Sequence, residues 1–90
     1  MLIPLNKEEV PRPFGEGSFV SYTVPEASLA LLKKHFAEQI GTKTLRVILP
    51  GQIYTMEYNS GRYNIQLHLV KNEDPELPGT WARVGEMYVG

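Results

Sequence analysis

Residues 63–70 read YNIQLHLV, so Tyr63, Ile65, Leu67 and Leu69 alternate with Asn64, Gln66 and His68. A two-residue period places the apolar set on one face of a half-buried strand. Upstream, residues 44–49 read TLRVIL, a second strand-like run. Between these runs lies the segment PGQIYTMEYNSGRYN, residues 50–64, which is too long for a tight hairpin turn. Connections of this length in a small domain are more often functional than idle. The chain is therefore constrained to build a sheet that holds an exposed loop at both ends.

Elsewhere the chain supplies enough for one core. Residues 25–40 predict the best helix, with Leu29, Leu32, Phe36 and Ile40 in an apolar stripe and Leu31 and Ala37 widening it. Thr23 and Glu26 have capping-box spacing, Pro25 is tolerated in a first turn, and Gly41 supplies a stop. A helix with one apolar stripe needs a sheet or partner to cover it. Residues 18–23, SFVSYT, predict a short edge strand, and residues 80–89 a last strand interrupted near Gly85 by a bend or bulge. Residues 71–79, KNEDPELPG, read as a turn-forming connection. The first 17 residues carry Pro4, Pro11 and Pro13 with Gly15 and Gly17, and predict an irregular arm on which Leu2, Ile3, Leu5 and Phe14 can still dock. The expected organisation is an arm at 1–17 followed by a single domain at 18–90. Its expected fold class is α+β, with a single helix packed on a small mixed sheet and an extended exposed binding loop.

Composition narrows the function. Nine basic and ten acidic side chains give a formal charge of −1, which offers no broad positive field for a phosphate backbone. The one basic cluster, Lys33, Lys34 and His35, reads as a solvated helix surface. Cysteine is absent, which favours a reducing, cytoplasmic setting, while a secreted mature chain carrying an added Met1 stays open. No apolar run approaches transmembrane length, so neither nucleic acid nor membrane is the expected partner. Catalysis has little support. His35 and His68 are the only histidines, and Glu8, Glu9, Asp74 and Glu76 lie in proline-rich connections with no placed base or acceptor. No metal-ligand spacing or phosphate-cradling glycine loop is present, and no metal or cofactor is expected.

The block at residues 45–67, LRVILPGQIYTMEYNSGRYNIQL, orders a strand, PGQ, TMEY, a short spacer, an arginine and a second apolar strand. In this order it resembles the potato type I serine-protease inhibitor family, including its fungal and bacterial elastase-inhibitor-like relatives. The resemblance implies a potato inhibitor I-like fold and a convex loop that enters a serine-protease cleft as a substrate mimic. On this sequence Ile53, Tyr54, Thr55, Met56, Glu57 and Tyr58 would form the protease-binding loop. The bond between Met56 and Glu57 would be the reactive one. Arg62 would reach back beneath the loop to brace Thr55 or Glu57. Some relatives use a second arginine two residues later, where this chain has Asn64, so that half of the brace becomes neutral or rearranged.

The side chains suit those roles. Met56 is long, unbranched and uncharged, which favours an apolar specificity pocket of chymotrypsin, subtilisin or elastase type over one with an acidic floor. The Arg62 guanidinium offers several donors in a fixed fork, which a lysine does not. Plainer roles stay open for each residue: Met56 as core packing, Arg62 as a strand-edge ion pair, and Tyr54 and Tyr58 as covers for the sheet. The expected function is reversible, substrate-like inhibition of a serine endopeptidase. The competing reading is a non-inhibitory interaction module that uses the same scaffold, its N-terminal arm and its 71–79 connection.

Overall fold

The computed structural model of the protein describes residues 1–51, 54, 57–70 and 79–90. In chain order it contains β1 (Leu2–Pro11), β2 (Ser18–Thr23), α1 (Glu26–His35), α2 (Ala37–Ile40), β3 (Thr44–Ile48), β4 (Arg62–Val70) and β5 (Thr80–Val89). The strands form one five-stranded sheet in the order β2-β1-β5-β4-β3. β3 runs parallel to β4, and the other pairs are antiparallel.

This corrects the expected fold class. The chain does not form one long helix on a small sheet in the manner of potato inhibitor I; the described residues form five strands with two short helical segments. The sheet also curls on itself. β2 and β3 are opposite edges of it, yet Phe19–Tyr22 of β2 line a common cleft with Pro50 and Gly51, just beyond β3.

The first 17 residues are not an irregular arm. β1 is shared along its length: Leu2 to Leu5 pair with β5, and Asn6 to Pro11 pair with β2. Pro4 and Pro11 therefore each have a strand on one side only, where a missing amide donor is tolerated. Ile3 and Leu5 alternate into the core at 0% and 6% exposure, while Leu2 and Phe14 stay outside. Burying Ile3 alone is worth about 1.5–3 kcal/mol.

The helical region also departs from expectation. It divides at Phe36, whose φ of −109° and ψ of 25° interrupt the regular turn. The helix begins after Pro25 with no side-chain cap, because Thr23 is still the last residue of β2, paired with Asn6. The buried stripe is Ser28, Leu32, Phe36 and Ile40, and Leu31 faces solvent. Ser28 spends its hydroxyl on the Pro4 carbonyl at 2.8 Å, which fastens the helix to β1. Gly41 does end the helix, at φ 57° with its amide on the Ala37 carbonyl. Tyr63, Ile65, Leu67 and Ala82 complete the core from the sheet.

β5 carries the expected irregularity. Ile65 pairs with Met87 but Leu67 with Val84, so Gly85 and Glu86 stand opposite Gln66 as a bulge. A side chain at Gly85 would meet the His68 ring at 2.3 Å, so the ring occupies the space that glycine leaves open.

Candidate functional site

The site is built on the face of β3 and β4 that the core residues leave free. Alternation along β4 sends Tyr63 and Ile65 to the core and Asn64 to the other side, where it is nevertheless 0% exposed. The parallel register sets Arg46 directly beside it. Arg46 Nε donates to Asn64 Oδ1 at 2.6 Å. Asn64 Nδ2 donates in turn to the Gly90 carbonyl at 2.7 Å and to the Tyr88 carbonyl at 3.3 Å. A buried amide is costly unless both of its ends are satisfied, and here both are.

Arg62 opens β4 and uses its guanidinium as a clasp. Nε donates to the Gly90 carbonyl at 2.8 Å, and Nη2 donates to the main-chain carbonyl of Glu57 at 2.7 Å. The loop exit is tied separately: Asn59 accepts from the Gly61 amide through its side chain and from the Arg62 amide through its carbonyl. The Gly61 carbonyl then receives the Thr44 amide at 2.8 Å, joining the loop exit to the start of β3.

The loop entrance has its own anchor. The Tyr54 hydroxyl accepts from the Leu49 amide and donates to the Val47 carbonyl, each at 3.2 Å. Its ring lies under the Arg46 guanidinium, 5.2 Å from centroid to Cζ, which is cation–π distance. Arg46 therefore serves both ends of the loop, through Tyr54 at the entrance and through Asn64 and Gly90 toward the exit.

Of the residues expected to form the site, Tyr54, Glu57, Tyr58, Arg62 and Asn64 come together here. Ile53, Thr55 and Met56 lie outside the described residues, and so does Met56's side of the expected reactive bond. Tyr54 is half-buried and turned toward the loop base, whereas Tyr58 is 73% exposed. The Tyr58 ring passes over Gly90, 3.6 Å from where a Cβ there would stand.

Arg46 and Gly90 are the members that sequence reasoning missed. Arg46 sits in a strand-like run whose apolar neighbours dominate the pattern, and its partnership with Asn64 follows only from a parallel register. Among the described residues, no group of three or more His, Asp or Glu side chains is placed to hold a metal ion. His35 ends α1 and His68 lies on β4, where it fills the space over Gly85. Asp74 and Glu76 lie outside the described residues.

The curled sheet thus clasps the described part of the loop at its entrance and exit, and the chain resembles peptidase inhibitors as a class. The family model that matches it, over residues 28–70, is that of the peptidase inhibitor I78 family. The matched span runs from α1 through β4 and contains the whole 45–67 block that carried the resemblance in the sequence. No curated protein and no solved structure matches the chain. The likeness is to a family of peptidase inhibitors and spans residues 28–70.

Proposed function

We propose that the protein is a reversible, substrate-like inhibitor of a serine endopeptidase with an apolar specificity pocket, of chymotrypsin, subtilisin or elastase type. Met56 fills the pocket, and the bond between Met56 and Glu57 is the one attacked. Ile53, Thr55, Glu57 and Tyr58 supply the flanking contacts, while Tyr54 holds the loop from below.

The observation that carries this reading is the Arg62 clasp. The carbonyl it grips belongs to Glu57, the first residue beyond the proposed reactive bond. After cleavage at that bond, the new amino terminus would still be tethered through Arg62 to Gly90 and β4. A leaving group that stays in place favours religation over release, and the inhibitor needs no catalytic group of its own. Bracing before binding also lowers the ordering cost of association, so more of the contact energy appears as affinity. The Arg46–Asn64–Gly90 chain, centred on the buried Asn64, supports the same reading, since it fixes the ground on which the clasp stands.

The test is a titration of chymotrypsin, subtilisin, pancreatic elastase and trypsin with the purified protein, followed by mass analysis of the inhibitor. Tight inhibition of one of the first three with slow cleavage after Met56 is expected. Met56→Gly should weaken that inhibition by about 1–3 kcal/mol through lost apolar contact and loop stiffness. Equal inhibition by parent and variant would remove Met56 from the site.

A further inference from the structure

The helical region does not close fully against the start of β3. A cleft of about 430 Å3 opens there, lined by Leu29 of α1, Ala37 and Ile40 of α2, and Leu45 of β3. Ile40 is buried and Leu29 and Leu45 are half-buried, so together they form an apolar floor. Ala37 is exposed and contributes only a methyl group to the wall.

Two cations share this cleft: Lys33 from the last turn of α1, and Lys43 from just before β3. In the sequence Lys33 belongs to a basic helix surface with Lys34 and His35; the fold instead sets it with Lys43 beside apolar groups. Among the described residues no acid lines the cleft, and neither ammonium has a hydrogen-bond or ion-pair partner. The whole chain carries a formal charge of −1, so this positive rim opposes the sign of the molecule. Lysine stems cover apolar surface while their ammonium groups stay at its margin. An anion brought to that margin is attracted by two cations in a lower dielectric than water.

Those features define the chemistry of a ligand. An apolar floor accepts a hydrocarbon body, and two unpaired ammonium groups accept one anionic head. The volume falls in the range of small-molecule sites, about 300–1,000 Å3, whereas a protein partner rests on about 800 Å2 of surface. We propose that the cleft binds a small amphiphilic carboxylate: an alkyl chain of octanoate length lies on Leu29, Ala37, Ile40 and Leu45, and its carboxylate pairs with Lys33 and Lys43. The proposal stands apart from the inhibitory reading, since none of these six residues belongs to the loop or to its clasp.

The test is a nuclear magnetic resonance titration of the full chain with octanoate, hexanoate and octanol, at low and high sodium chloride. Octanoate should shift the resonances of Leu29, Ala37 and Leu45 saturably. Hexanoate should bind about tenfold more weakly, for want of two methylenes, and octanol about fivefold more weakly, for want of the charge. High salt should weaken octanoate and leave octanol unchanged. Lys33→Gln with Lys43→Gln should bring octanoate down to the level of octanol, with octanol binding itself as the control that the cleft is still folded. Ala37→Leu, which keeps a strong helix former, should block both ligands by filling the cleft. Absence of saturable shifts at these residues overturns the proposal. Equal binding of octanoate and octanol, or a glutamine pair that binds octanoate like the parent, reduces the cleft to an apolar patch and overturns the anion site. Undiminished binding by Ala37→Leu places the ligand elsewhere and overturns it as well.

Discussion

Replacing Arg62 by alanine removes two hydrogen bonds with different consequences. The bond from Nε to Gly90 is half-buried and ties β4 to the end of β5, so its loss falls on the fold. The bond from Nη2 to Glu57 is exposed and ties the loop to the sheet, so its loss falls on the loop. A hydrogen bond from a charged donor contributes about 1.5–3 kcal/mol net, and exposure to water pulls that value down. We therefore expect Arg62→Ala to lower unfolding stability by about 2 kcal/mol. The exposed bond is worth about 1 kcal/mol, roughly a fivefold rise in the inhibition constant. The larger effect should be kinetic: once cut, an untethered Glu57 drifts from the site and religation fails, so the protein turns from inhibitor toward substrate. Arg62→Lys keeps the charge but cannot reach two carbonyls with one ammonium in a fixed fork, and should fall between parent and alanine. Urea unfolding, inhibition titration and a mass-spectrometric time course of cleavage separate the effects. If Arg62→Ala loses the stability yet keeps the parent's inhibition constant and cleavage rate, Arg62 only holds Gly90 and the clasp argument is wrong.

Three further perturbations probe the frame beneath the loop. Asn64→Leu keeps the volume but strips partners from Arg46 and the Gly90 carbonyl; it should cost about 2–4 kcal/mol in urea unfolding and hasten cleavage of the loop. Gly85→Ala should cost about 1–2 kcal/mol because the new methyl meets the His68 ring, and His68→Ala should return most of it in a double-mutant cycle. Equal losses in both backgrounds would mean that the ring is not the obstacle. Ile3→Ala should cost about 2–4 kcal/mol, and a loss below about 0.5 kcal/mol would show that β1 is no part of the core.

The strands of the second half were legible because their side chains follow a two-residue period that burial reinforces. β4, at Arg62–Val70, has its core face where the alternation of Tyr63, Ile65 and Leu67 puts it. The glycine at 85 likewise announced the bulge in β5. β1 was hidden by its prolines, which argue against a central strand but not against one whose two halves each pair on a single side. Helical periodicity overstated the apolar stripe, since Leu31 is as apolar as Leu32 in sequence yet points to water, while Ser28 is buried to bond Pro4. Thr23 looked like a cap because spacing cannot tell that the residue is still committed to β2.

Strand direction was the decisive quantity that pattern could not supply. Residues 49–61 join β3 to β4, and an antiparallel pair would have made them the tip of a long hairpin. The pair is parallel, so these residues must carry the chain back across the sheet to the end where β3 began. Such a return takes on the order of a dozen residues and is usually made by a helix that covers the sheet with apolar side chains. Here the described part of the return contains no helix, and polar groups fill the space beneath it: Arg46, Asn64 and Arg62, each bonded to a loop residue, to Gly90 or to one another. A loop seated on apolar groups would be positioned by burial and would hide its own side chains. One seated on directional hydrogen bonds to its main chain is positioned while its outward side chains stay free, as Tyr58 does. The parallel register thus brings Arg46 to Asn64, and that contact, with the Arg62 bond to Glu57, braces the described part of the connection from beneath.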